Sequence, residues 1–339
     1  MKKLLFALLG SLLSASLFAQ MMPDSTYQIV AYWDKGDQVS YECKSKSVRI
    51  MPDGTEVVQS SSSDTRTFEV IDQTDTSYTL RMTYADAFLS QLNLGPEVSE
   101  AYARLMAEQK IDILTDQLGT VQGFLNLDQV LKSMEEYIPI VFESVLSKFS
   151  EKDVNAAGPF LSKLKDSFIA MFTDRDKMRA TYNANVSPFF FYHGARLDPK
   201  EEYVIEQEYP NVMGVQGLKA DLHFWVDEEE SDSVSVVIYS HAEADEDAML
   251  SMMLDAALTL LRNTVSPEQS EEAAPAIILS FDKSNMSASF VAESGTIIDL
   301  GSGWPVWYNA ESRAKIEGKG GNTEVVSTTE ISYKDPEEP

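Results

Sequence analysis

The sequence predicts an α+β fold, mainly antiparallel β, in which a curved sheet or half-barrel of two related halves carries amphipathic helices packed on one face. Segments with alternating apolar and polar residues, the period of a half-buried strand, occupy most of the chain between turn-forming residues. Helical periodicity replaces this alternation in the middle of the chain. A strand and helix pattern at residues 67–126 returns at residues 219–309. This echo indicates an internal repeat, although a long antiparallel meander produces similar echoes.

The first copy of the repeat is expected to contain a hairpin, a helix and a second hairpin. Strands at residues 67–71 and 78–84 flank a polar turn, and a helix occupies residues 96–109. The second hairpin spans residues 111–125, where Gly119 supplies the positive φ that a tight turn requires.

The second copy is expected to follow the same order. Strands at residues 220–226 and 234–239 enclose an acidic turn, and a helix at residues 247–262 follows them. A hairpin at residues 285–300 completes the copy and is predicted to turn at Ser294 and Gly295.

Further strands flank the two copies. A strand at residues 26–33 opens the chain and a second strand follows at residues 38–46. A separate hairpin at residues 48–59 turns at the Asp-Gly pair that ends at Gly54. Residues 202–209 alternate as a strand, and residues 312–333 form a long closing hairpin.

Three connecting segments have predictions of their own. The polar residues 60–64 are expected to form a loop, and so are the acidic, proline-bearing residues 266–275. The continuous aromatic run at residues 187–192 predicts a strand that is buried on both faces.

The helical insert is predicted to begin at Asn126, which is a favourable N-cap. One apolar stripe follows residues 130–149, with Pro139 inside it, and a second follows residues 160–172. A shorter helical piece extends to about Ala184. These stripes either pack on the protein's own sheet or line a cavity or a partner surface, and periodicity does not separate the two.

The N-terminus has the pattern of a secretory signal peptide. Lys2 and Lys3 precede an apolar run to Phe18, and cleavage is expected after Ala19. With no Cys near that site, we expect a soluble exported protein, periplasmic or extracellular, without a lipid anchor or transmembrane segment. The predicted divisions are a signal peptide at residues 1–19, a first β-rich half at 20–125, a helical insert at 126–184, a second β-rich half at 185–334 and a disordered tail at 335–339.

The charge of the chain restricts its partners. The formal net charge is −27, and loss of Lys2 and Lys3 with the signal peptide takes it to −29. Nucleic acids and anionic membranes need clustered Lys and Arg, so both are excluded as partners. A lipid or another amphiphile remains possible, and no partner protein is indicated.

Aromatic side chains supply the candidate ligand-binding residues. Trp304, Trp307 and Tyr308 follow two glycines closely, and they either stack on a sugar ring or acyl chain or plug the end of the sheet. The helical stripes add further aromatic side chains. The remaining candidates are Tyr137, Phe142, Phe168 and Phe172.

One short cluster has metal-ligand character. His241, Glu243 and Asp245 alternate along an extended segment and would share one side of it. The alternative is that these acidic residues begin a helix and complement its dipole.

No catalytic motif is present, and we expect no cofactor. Ser162 and Lys165 match a Ser-x-x-Lys pattern whose companion motifs are missing. Cys43 is the single cysteine, so an intrachain disulfide is impossible. It lies in a predicted strand and is expected to be an inert apolar residue.

Several local features resemble a set of secreted proteins of Bacteroidota-type bacteria. These are the Phe-Ala-Gln end of the signal peptide, the Lys-Gly-Asp sequence at residues 35–37, the Asp116-x-x-Gly119 hairpin and the late hairpin at Gly303 and Trp304. That set brings no established activity and no functional residues. At the level of architecture the chain also resembles the half-barrels of periplasmic lipoprotein carriers, which implies an apolar cavity for acyl chains between sheet and helices.

The leading functional hypothesis is an exported, non-enzymatic binding protein whose apolar or amphiphilic ligand lies between the sheet and the helices. The second hypothesis is an envelope structural or protein-interaction module without a small ligand. The third is a metal-dependent hydrolase that uses His241, Glu243 and Asp245.

Overall fold

The structure is a computed structural model of the chain. It describes residues 21–86, 110–146, 169, 173–209, 217–265, 267–281, 286–318 and 321–334. The predicted signal peptide, the helix at residues 96–109, nearly all of the helix at residues 160–172 and the C-terminal tail lie outside these ranges.

The described elements are thirteen strands and four helices. The strands are β1 (Tyr27–Gln28), β2 (Gln38–Ile50), β3 (Glu56–Thr74), β4 (Ser77–Asp86), β5 (Ile111–Asp116), β6 (Val121–Phe124), β7 (Arg196–Leu197), β8 (Glu202–Tyr209), β9 (Leu218–Val226), β10 (Ser235–Ala244), β11 (Met286–Asp299), β12 (Pro305–Gly318) and β13 (Gly321–Tyr333). The helices are α1 (Leu127–Leu146), α2 (Arg175–Phe190), α3 (Glu246–Thr264) and α4 (Pro267–Ser280).

Eleven strands form one curved, open sheet in the order β6-β5-β4-β3-β2-β13-β12-β11-β10-β9-β8. Every neighbouring pair in this sheet is antiparallel. Strands β1 and β7 form a separate two-stranded pair. The predicted α+β class, mainly antiparallel β with helices, is therefore confirmed.

Strand order relates the two halves of the sheet. Strands β2 to β6 occupy one side and β8 to β12 the other, in the same spatial sequence, and β13 joins β2 to β12. Helices α3 and α4 lie between β10 and β11, which matches the place of residues 87–110 between β4 and β5. This arrangement is the one that a duplication requires, and the duplication itself stays a prediction.

The predicted turn at Ser294 and Gly295 is wrong. Strand β11 runs through both residues without a break, and the chain turns between Asp299 and Gly303 instead. A Cβ at Gly295 would lie 3.0 Å from the Tyr239 ring and 3.1 Å from the Trp307 ring. Glycine is therefore present to admit two neighbouring aromatic rings, a use of strand glycine that resembles a turn signal in the sequence.

The aromatic run at residues 187–192 ends helix α2 and is not a strand. Tyr182, Val186, Phe189 and Phe190 are buried at helical spacing, whereas Phe191 is 37% exposed. A short apolar run fits a buried strand and a buried helix end equally well, and here the upstream periodicity decides.

The two segments predicted as loops are regular structure. Residues 60–63 belong to β3, because they pair with β2, which extends opposite them. Residues 267–280 form α4, which begins at Pro267, a position where proline suits a helix. Tertiary pairing and a favourable first turn outweigh the polar composition of both segments.

Two apolar cores lie on one face of the sheet, which is called the inner face below. The first core packs Tyr41 and Phe68 of the sheet against Phe189 of α2, with ring centroids 4.8 Å apart for both contacts. The second core packs Leu222 and Ile238 with Leu250 of α3. The sheet is thus filled at both ends, and the cleft described below opens between these cores.

A junction segment at residues 29–33 ties the cores together. Its amides donate to carbonyls in three turns, from Ile29 to Ala195, from Ala31 to Leu118 and from Tyr32 to Ser302. Only residues 27–28 of the strand predicted at residues 26–33 are regular strand. Trp33 ends the segment and stacks on Trp304, with centroids 4.3 Å apart.

Candidate ligand-binding cleft

A cleft of about 600 Å³ separates helix α2 from the inner face of the sheet. Helix α2 and the turn after it form one wall, β8 and β9 supply the side, and β10 to β13 supply the floor. Its size lies within the range of small-molecule sites in proteins.

Helix α2 presents different faces to the core and to the cleft. Asp174 caps its N-terminus by accepting hydrogen bonds from the amides of Asp176 and Lys177. Tyr182 and Val186 face the first core. The residues that line the cleft are smaller, chiefly Ala180, Ala184, Ser187 and Pro188. Short side chains on this face therefore keep the space open.

The floor of the cleft carries a row of hydroxyl groups, called the hydroxyl row below. Its members are Ser240, Ser294, Thr296 and Tyr308. Ser240 Oγ and Ser294 Oγ are 2.7 Å apart. The Tyr308 hydroxyl interacts with Ser294, and burial raises the pKa of Tyr308 to about 12. Tyr308 is therefore a neutral hydrogen-bonding group at pH 7.

Thr296 is the least satisfied member of the row. It is 1% exposed, and its Oγ1 has no hydrogen-bond partner. Burying a hydroxyl without a partner costs about 1–3 kcal/mol. Thr296 is also one of the residues that line the cleft.

The polar side chains that face the cleft are uncharged. Glu293 and Glu311 also line it, but their carboxylates lie on the opposite face of the sheet. There Glu293 contacts His241 at 3.5 Å, and Glu311 accepts from Arg313 at 2.6 Å. Strand alternation likewise directs Glu208 outward, since its neighbour Tyr209 packs on Phe290 of the second core.

The structure separates the three aromatic residues proposed from the sequence. Tyr308 lies in the cleft. Trp304 is 5% exposed in the first core, and Trp307 lies on the outer face of β12 against Tyr239 and Gly295. Tyr308 alone of the three is therefore available to a ligand in this cleft.

The helical candidates lie beyond what the structure describes. Tyr137 and Phe142 belong to α1, but their side chains are outside the described set, and Phe168 and Phe172 lie outside the described residues altogether. The described start of α1 packs Val130 into the first core.

The predicted metal ligands His241, Glu243 and Asp245 do not converge on one point, although His241 and Glu243 share a face of β10. His241 faces Glu293 on the outer face of the sheet, and Asp245 is the N-cap of α3, accepting from the amides of Asp247 and Ala248. Among the described residues, no three His, Cys, Asp or Glu side chains converge as metal ligands would. Helix capping already engages the Oδ1 atom of the Asp245 carboxylate.

His193 is a buried group that the sequence interpretation did not single out. Its ring lies between Trp33 and Phe190, at centroid distances of 5.5 and 5.6 Å, and neither ring nitrogen has a hydrogen-bond partner. Burial lowers the pKa of His193 to about 4, so the ring is neutral at pH 7. It is a packing group of the junction and lies outside the cleft.

Comparisons with known proteins identify no family. No protein-family model and no curated protein matches the chain. Similar solved structures include a loop-deletion variant of OmpT, an outer membrane protein of Vibrio cholerae, at 7% identity and a TM-score of 0.22, covering 89% of this chain and 100% of that one. An outer membrane channel of Pseudomonas putida F1 has 9% identity and a TM-score of 0.15, covering 90% of this chain and 98% of that one. Such TM-scores do not establish a shared fold.

Within the described ranges, no helix is both long enough and apolar enough to cross a bilayer.

Proposed function

We propose that this protein is an exported, non-enzymatic binding protein whose apolar or amphiphilic ligand lies in the cleft between α2 and the sheet. The observation that carries the proposal is the pairing of apolar walls with a hydroxyl row that includes the orphaned Thr296 hydroxyl. The apolar body of an amphiphilic ligand would cover the apolar walls, and its polar group would form a hydrogen bond with the Thr296 hydroxyl.

The apolar walls of the cleft support the first part of this match. Phe191 is 37% exposed although it is a large aromatic residue, and it lines the cleft together with Tyr209 and Leu222. Removing apolar surface from water stabilises a complex by about 25 cal/mol per Å². A ligand chain that covers these side chains would therefore gain free energy from burial.

Native mass spectrometry of the protein, purified gently from its own host, tests the proposal. We expect a bound mass of lipid size that is lost on denaturation and recovered in an organic extract. Ala184 is exposed and lines the cleft, so Ala184→Trp should fill the space and reduce the bound fraction at least tenfold.

Arg179→Trp is the matched control, because Arg179 is exposed on the same helix and does not line the cleft. It should retain the bound mass. A wild-type protein that carries no ligand and also binds no added twelve-carbon alcohol, acid or amine would overturn the proposal.

A further inference from the structure

We propose that the cleft selects an uncharged amphiphile, whose neutral head group exchanges hydrogen bonds with Ser240, Ser294, Thr296 and Tyr308. This inference rests on the proposed function and specifies its ligand. It disfavours two ligand classes that an apolar cleft alone would accept, namely fatty-acid anions and alkylammonium cations.

Anions find no countercharge in the cleft. None of the described side chains that line it is Lys, Arg or His. A carboxylate placed there would lose its hydration without gaining an ion pair, which is costly in a partly buried site. The formal charge of −27 on the chain adds a general repulsion of anions.

A cationic ligand also finds no group of opposite charge in the cleft, because the carboxylates at the cleft face away from it. Glu293 and Glu311 are engaged by His241 and Arg313 on the outer face of the sheet. The inward polar groups are hydroxyls and the amides Asn183 and Gln207. An ammonium head would therefore meet neutral dipoles only, which compensate its lost hydration poorly.

Hydroxyl groups of the ligand fit the row in both directions. Each Ser, Thr or Tyr hydroxyl both donates and accepts, and so does an alcohol or glycerol group. Ser240 and Ser294 already share one hydrogen bond, and Thr296 has none. A neutral alcohol, ester or acylglycerol head satisfies Thr296 and extends this chain of hydrogen bonds. Aliphatic hydrocarbons leave Thr296 unsatisfied, so the head group contributes to recognition.

Titration calorimetry with ligands of one chain length tests the selectivity. The probes are 1-dodecanol, 1-monolauroylglycerol, dodecanoate and dodecylamine, each at pH 7 and below its solubility limit or micelle-forming concentration. We expect the two neutral probes to bind at least tenfold more tightly than either charged probe. Equal affinity for all four, or preference for a charged one, overturns the selectivity and leaves the proposed function standing. Binding of none overturns both.

Thr296 variants test the role of the row itself. Thr296→Val keeps the shape and removes the hydroxyl, whereas Thr296→Ser keeps the hydroxyl. We expect Thr296→Val to lower the affinity for 1-dodecanol about tenfold while leaving that for dodecanoate unchanged, and Thr296→Ser to retain the preference. An unchanged preference in a folded Thr296→Val protein, checked by its thermal unfolding midpoint, contradicts the assignment.

Discussion

The two halves of the sheet share a strand order but fill their inner faces differently. In the first half Leu80 of β4 pairs with Ile113 of β5, three residues before Asp116, which begins the turn. In the second half Ile238 of β10 pairs with Thr296 of β11, three residues before the turn at Asp299. The equivalent position in the sheet is therefore aliphatic in the first half and carries a hydroxyl group in the second half.

This replacement of an apolar residue by a hydroxyl-bearing one occurs at four matched positions, whereas Leu80 and its equivalent Ile238 are aliphatic in both halves. The equivalent pairs are Met82 and Ser240, Ile111 and Ser294, Ile113 and Thr296, and Phe124 and Tyr308. Each first-half member is apolar and belongs to the first core or packs against it, and each second-half member carries a hydroxyl and lines the cleft. The same strand arrangement thus supports an apolar core in the first half and a cleft with a hydroxyl-bearing floor in the second half. The difference lies in side-chain volume and polarity rather than in backbone topology.

Making the first half resemble the second should have the largest effect. Ile113 is fully buried, and Ile113→Thr removes apolar volume and buries a hydroxyl among aliphatic side chains. We expect the free energy of unfolding to fall by about 2–4 kcal/mol, measured by urea denaturation. A loss below about 1 kcal/mol would mean that the first core is as tolerant of hydroxyls as the cleft.

The free energy of unfolding should fall in acid, because His193 is buried at the junction between the halves. Because the pKa of His193 falls from 6.5 to about 4 on folding, the unfolded state binds more protons between these values. The free energy of unfolding should therefore drop as pH falls from about 6.5 to about 4, by about 3 kcal/mol in total. His193→Phe should flatten this part of the pH profile. An equally steep drop in that variant would place the acid sensitivity in another group.

Making the second half resemble the first should have the opposite sign and a smaller size. Thr296→Ile replaces an orphaned hydroxyl with an apolar group next to open space. We expect a gain in the free energy of unfolding of about 1 kcal/mol, by relief of the unsatisfied hydroxyl. A loss of stability comparable to that of Ile113→Thr would show that the two sites are not equivalent in packing.

Thiol labelling of Cys43 tests, without any substitution, whether the inner face of the sheet opens to solvent at β2. It is 3% exposed in β2, and burial raises the pKa of its thiol to about 12. The thiolate is the reactive form, so we expect no labelling by a thiol reagent at pH 8 until the protein unfolds. Labelling at the rate of a free thiol would indicate that this part of the first core opens readily.

Local chemistry explains which parts of the fold could be predicted. Gly119 has φ of 92° in the turn where a positive value was expected, and α3 runs from Glu246 to Thr264 over the predicted helix. In both cases the signal lies within a few residues, in turn chemistry or in helical periodicity. The roles of Gly295 and of the serines of β3 depend on neighbouring strands, so the residues next to them in sequence do not predict those roles.

The cleft could not be predicted for the same reason. Ser240, Ser294 and Tyr308 are far apart in sequence, and only the register of β10, β11 and β12 brings them together. Trp304 and Trp307 are close in sequence, yet Trp304 lies in the first core and Trp307 lies on the outer face of the sheet. Aromatic clustering in sequence does not imply clustering in space.

The closing position of β13 has a consequence for how the chain folds. Strand β13 is the last strand in sequence, and it pairs Tyr333 with Tyr41 of β2, one of the first. The sheet is therefore continuous only after nearly the whole chain is available, and until then the inner edges of both halves have unpaired backbone groups. Contacts of such long sequence separation slow folding and prolong the lifetime of open intermediates. A chain that lacks residues 321–333 should consequently yield two separate half-sheets that are prone to associate through their edges.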